Sequence, residues 1–217
     1  MHSKMKLIMI YFNLIKVKNM AKVLIFKVGI EGLEEKIWRK IEITDKRTVA
    51  DLAYTILATF DSLAYHLYNI KHNDKVYDCW VYTEDDYSDI PKVNATTTKL
   101  SDIGLIENDT MEMEYDYGST TTFKITYLGC SDLERGKGSH YPYIIDGEGR
   151  GMIDDISDFK LKEIVEDTDK KGYSEHYFTP GYERTIKYDY RKFNIKNNNA
   201  LLKGLVLEIK NGYEVDE

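Results

Sequence analysis

A chain of 217 residues, 42% hydrophobic and 31% charged, is long enough to bury a substantial core and offers no apolar run that would span a bilayer. A formal charge of −7 and a pI near 5.4 argue against a general nucleic-acid binder, which would present a basic face. Cys79 and Cys130 are too few and too far apart for a disulfide framework or a zinc knot, and read as reduced, intracellular thiols.

In chain order, residues 1–19 place Lys4 and Lys6 before a short apolar run broken by Asn13, with no small-residue cleavage site after it. They read as a leader, an extra strand or a translation-start artefact, with Met20 the more natural beginning. Residues 22–28 (KVLIFKV) form a predicted strand, residues 29–35 a glycine-containing turn, and residues 36–43 (KIWRKIEI) a second strand. In that second strand Ile37, Arg39, Ile41 and Ile43 share one side and Trp38, Lys40 and Glu42 the other. Residues 48–60 (TVADLAYTILATF) carry Val49, Leu52, Ala53, Ile56, Leu57 and Phe60 at helical spacing, so an amphipathic helix is expected, with Thr48 as N-cap and Asp51 near the positive end of the dipole. Strands follow over 65–72 and 75–82, then a polar loop over 84–98 containing Pro91, and a short helical turn over 99–106.

Residues 110–118 give the clearest strand. Met111, Met113, Tyr115 and Tyr117 alternate with Glu112, Glu114 and Asp116, which predicts one buried and one acidic face. Between Glu84 and Asp116 ten acidic residues stand against Lys92 and Lys99 alone, a local charge of −8. A solvated strand and loop explains this simply; a surface for a basic partner is the alternative. Eighteen tyrosines suit half-buried strand positions or a sticky binding surface. A strand is expected over 122–128, a charged loop over 131–139, a helix over 155–166, a strand over 184–193, and a last helix over 200–210 capped by Asn199.

The element order, with its Leu100–Ser101–Asp102 turn before the acidic strand, resembles the β-grasp arrangement of ubiquitin. The expected class is therefore α+β: a β-grasp-like mixed sheet covered by one main helix over residues 20–128, with an α+β extension over 129–217 packed on it. Several motifs in fixed order carry a further resemblance: IWRK at 37–40, TVADL at 48–52, HLY at 66–68, EYDYG at 114–118, YP and DGEG between 141 and 149, GMIDD at 151–155 and FNIKNNNALL from Phe193. Together these resemble the plasmid pRiA4b ORF-3-like family over residues 22–205. The resemblance implies a mobile-element setting. Where the family pattern carries an Asp, a Trp and a His after the acidic strand, this chain has Ser119, Thr121 and Phe123; Ile144 replaces a cysteine, and the Gly-Gly after Asp155 is missing.

The chemistry candidates are few. Five histidines do not cluster at metal spacing; His66, on a predicted strand, reads as a structural hydrogen-bonding residue or a binding residue. Asp154 and Asp155 follow a glycine-rich turn, where adjacent carboxylates suit a divalent cation, acid–base work or simply a helix N-terminus. Trp38 and Arg39 suit stacking on a ligand or, alternatively, core packing with Arg39 paired to an acid such as Asp116. The segment GEGRG at 147–151 lacks the Lys-Ser/Thr of a phosphate loop.

The expected function is a non-catalytic protein-interaction module, with Trp38, Arg39, His66, Glu112, Glu114, Asp116, Tyr117, Asp154 and Asp155 as candidate contact residues and no cofactor. The expected partner is a protein, in concrete form a basic nucleic-acid-handling host protein inhibited in the manner of an anti-CRISPR protein. Direct nucleic-acid binding is disfavoured, and the expected setting is cytoplasmic. The alternative is a metal-dependent hydrolase or nuclease accessory using Asp116, Asp154 and Asp155.

Overall fold

In a computed structural model the described residues are 21–80, 91–152, 155–177 and 185–215. Residues 1–19 and Asp154 therefore lie outside them. The core is an eight-stranded sheet in the order β5-β4-β3-β6-β7-β1-β2-β8. Its strands are β1 (Lys22–Ile30), β2 (Trp38–Thr44), β3 (Tyr68–His72), β4 (Lys75–Asp78), β5 (Lys92–Asn94), β6 (Thr110–Tyr115), β7 (Thr121–Asp132) and β8 (Tyr143–Glu148). Every neighbouring pair is antiparallel except β4 with β5. The class is α+β.

Helix α1 (Val49–Thr59) fills the expected place. Thr48 Oγ1 accepts from the Asp51 N–H at 3.1 Å, and the Asp51 carboxylate accepts from the Thr48 N–H at 3.1 Å, a complete capping box built with the shorter acid. All eleven helix residues are buried, not just the apolar stripe. One reason is helix α3 (Ile195–Tyr213), which packs along α1 and also reaches the sheet at β8 and, through Tyr213, at Tyr68 of β3. Polar groups on α1 are satisfied at close range: Thr55 Oγ1 donates to the Asp51 carbonyl at 2.7 Å, Thr59 Oγ1 to the Ile56 carbonyl at 2.9 Å, and Lys210 reaches Asp51 at 3.1 Å.

Two features extend the β-grasp pattern. In that pattern the first strand and the strand after the turn lie side by side in parallel; here β7 is inserted between β1 and β6, antiparallel to both. β8 then adds beyond β2, so the sheet runs continuously across residue 128. Helix α2 (Asp158–Lys171) buries Leu161, Ile164 and Val165 and is fastened to the β1–β2 connection by Lys36 and Asp169 at 2.5 Å. Phe159, in the first turn of the same helix, is exposed. A hairpin of β9 (Ser174–Tyr177) and β10 (Thr185–Tyr188) follows.

Asn199 does not cap the last helix; Asn194 does, its side chain accepting from the Asn197 N–H. One turn into α3, Asn199 instead pairs with β8. Its amide donates to the Ile144 carbonyl at 2.8 Å and accepts from the Ile144 N–H at 2.8 Å. A side-chain amide therefore occupies the outward-facing backbone groups of an edge strand, as a further strand would.

Candidate binding groove

The chain leaves α1 through Phe60, whose N–H is shared by the Ile56 and Leu57 carbonyls, and turns sharply. Asp61 and Ala64 both sit at φ +57°, a left-handed conformation that is costly for alanine. What holds this turn is Asp155, brought in from the segment before α2. Its carboxylate accepts from the Leu63 N–H at 2.9 Å and from the Tyr115 hydroxyl at 2.6 Å; the Tyr115 oxygen in turn accepts from the Tyr65 N–H at 3.1 Å. Burial and the facing carboxylate push the Tyr115 hydroxyl far up, so it remains a donor.

The loop so fixed forms one wall of a groove of about 1130 Å³. Cys79 and Trp80, past the end of β4, form another, and the C-terminal half of α3 contributes Leu205, Glu208, Ile209, Gly212 and Tyr213. Tyr213 is anchored: its ring stacks on Tyr54 at 5.4 Å and meets Tyr68 edge-on at 5.3 Å, and its hydroxyl donates to the His66 carbonyl. Burial pushes the Cys79 thiol up to about 11, which keeps it protonated at neutral pH.

The sequence-predicted site residues are distributed unevenly over this structure. His66 lines the groove, with Nδ1 at 3.6 Å from Asp116 and its ring edge-on to Tyr115. Asp116 follows β6 at φ +57°, its carboxylate accepting from Ser119 Oγ and from the Gly118 N–H; the Ser119 hydroxyl chiefly holds that carboxyl below the usual carboxylate range. His66, Asp116, Tyr115 and Asp155 thus gather at one end of the sheet.

The others lie apart. Glu112 is bonded to Lys124, and Glu114 to Lys71 and to Asn69 at 3.1 Å, so the acidic face of β6 is matched by cations on its neighbours. Burial opposes the Glu114 charge, but Lys71 and Asn69 outweigh it and its carboxyl is lowered. Tyr117, expected on the buried face, is past the strand end and about half exposed, its hydroxyl accepting from Asn69. Trp38 is half-buried on the outer sheet face under Lys27.

Arg39 corrects the expectation most. It is fully enclosed and not paired to Asp116. Nε donates to the Thr59 carbonyl at 2.9 Å, and Nη1 to the carbonyls of Trp38 at 2.9 Å and Glu148 at 2.8 Å. The guanidinium lies 3.6 Å over the Phe193 ring and 4.7 Å over Phe60, and Nη2 has no hydrogen-bond partner among the described residues. Burial pushes its pKa down to about 9, which still leaves it charged at neutral pH. In the folded protein it ties β2, β8 and the end of α1 together and is out of reach of a ligand. The glycines of 147–151 serve the same packing: a Cβ on Gly151 would stand 2.1 Å from the Phe60 carbonyl oxygen, and one on Gly149 2.2 Å from that of Lys36.

Among the described residues no set of three or more His, Cys, Asp or Glu side chains converges as a metal site, and no helix is long and apolar enough to cross a membrane. A family profile described as "Plasmid pRiA4b ORF-3-like protein" matches residues 22–197. The chain belongs to the plasmid pRiA4b ORF-3-like family. At the positions read above as differing from the family pattern, Thr121, Phe123 and Ile144 are buried, and Ser119 bonds Asp116. Among solved structures it is similar to a protein of unknown function from Methanosarcina mazei Go1, at 25% identity and a TM-score of 0.59, over 71% of this chain and 86% of that one. No curated protein matches it. The matched residues of the family include the 61–67 turn, Tyr115 and Asp155, whereas the groove wall on α3 lies beyond them.

Two groove elements escape sequence reading. Trp80 sits in a stretch that reads as a continuing strand, and the outer side of α3 shows only as surplus leucines, Leu201, Leu205 and Leu207, all exposed.

Proposed function

We propose that the protein is a non-catalytic interaction module that seats a segment of a partner protein in the groove between the 61–67 turn, Trp80 and α3. The observation that carries this reading is the run of exposed apolar side chains around the groove. Leu63, Tyr65, Leu67, Trp80, Leu205 and Val215 are all more than a third exposed and all line it. Surfaces of this kind mark interaction sites on soluble proteins. From Leu205 to Tyr213 the α3 wall runs about 12 Å at helical rise, room for about three or four extended residues of a peptide.

Other surfaces support this choice by their own chemistry. The acids of β6 are matched by Lys71 and Lys124, and the β8 edge is occupied at Ile144 by Asn199. The net charge of −7 and the mobile-element setting that the family resemblance implies favour a basic, nucleic-acid-handling partner, with inhibition of a host defence nuclease as the concrete form. Affinity capture tests this with wild-type bait and a Leu205→Arg bait, which alters an exposed side chain. A partner held by the first and lost from the second supports the groove; equal retention by both overturns it.

A further inference from the structure

Resting on that reading, the groove's own chemistry narrows the occupant. The aromatic rings of Tyr65, His66, Trp80 and Tyr213 line it, with Tyr65 80% and Trp80 58% exposed, and its carboxylates are Asp61 and Glu208. Among the described residues no lysine or arginine lines it. Asp61 has Arg150 at 3.8 Å, and Lys210, two residues beyond Glu208 in α3, is taken by Asp51 and Glu214; Glu208 forms no ion pair among the described residues. Aromatic faces beside a carboxylate, with cations kept out, attract a cation by ring quadrupole and charge together. We infer that the groove binds a basic peptide segment of the partner, with a lysine or arginine side chain received among Tyr65, Trp80 and Glu208 and apolar neighbours laid along Leu205.

Selection from a phage-displayed library of random short peptides tests this, using the full chain immobilised as wild type, Glu208→Lys and Leu205→Arg. The inference expects wild-type-selected peptides enriched in Lys or Arg flanked by apolar residues. Replacing that cation by citrulline or norleucine should weaken binding by about fivefold or more, and Glu208→Lys should weaken the cationic peptide to a similar degree while leaving the neutral one unchanged. Peptides selected through the groove, lost with Leu205→Arg but with no excess of cations, would overturn the inference and leave the groove reading standing. Peptides retained equally by Leu205→Arg would overturn both.

Discussion

At the scale of single residues, Arg39 carries the largest consequence. Truncation to alanine removes the packing on Phe60 and Phe193 and strips three buried carbonyls of their donor. Arg39→Ala should therefore cost about 3–5 kcal/mol, seen as a lower urea midpoint. Arg39→Lys should recover little, because one ammonium does not reproduce the fork that reaches Thr59, Trp38 and Glu148. The alternation of residues 36–43 had already put Arg39 on the side of Ile37, Ile41 and Ile43; side-chain chemistry alone drew it outward. Asp155 shows the opposite limit. Sequence marks it as an acid before a helix, but nothing local reveals that Tyr115, forty positions earlier, would donate to it. Asp116 supplies a pH dependence. Its carboxyl is lowered in the fold, so its contribution is complete above about pH 4 and is lost as pH falls through the lower folded value. Ser119→Ala should lessen that acid-side loss, measured as the shift in urea midpoint between neutral and acidic buffer.

At the scale of elements, α1 was legible because three signals agreed: the apolar spacing, the Thr48 cap and the acid at the first turn. Ile56 is fully buried, so Ile56→Asp should abolish cooperative thermal unfolding, recorded by circular dichroism. That α1 is buried all round was not legible, since Thr55 and Thr59 look solvent-facing until their hydroxyls are seen bonding to the preceding turn. β8 escaped for a different reason: YIIDGE alternates poorly and ends in a glycine segment, and its place beside β2 is set by long-range pairing. The Asn199 pairing makes a prediction for this element. Asn199→Leu leaves the Ile144 N–H and carbonyl without a partner, at a cost of about 1–3 kcal/mol, and opens an edge strand. Light scattering should show more self-association than in the wild type.

At the scale of the whole molecule, the acids of β6 do not form an unmatched acidic face, while Glu84, Asp85, Asp86 and Asp89 of the acid-rich stretch lie outside the described residues. The β6 acids are met by lysines on β3 and β7 that are remote in sequence but adjacent in the sheet. The groove arises in the same way, from a turn after α1, the end of β4 and the last helix, none of which carries a motif. Site-specific photo-crosslinking in host lysate tests the central claim most directly, with a photoreactive residue placed at position 205 in the groove or at position 124 on the outer sheet face. The account predicts a discrete adduct from position 205 and none from 124. An adduct from 124 with none from 205 would contradict it.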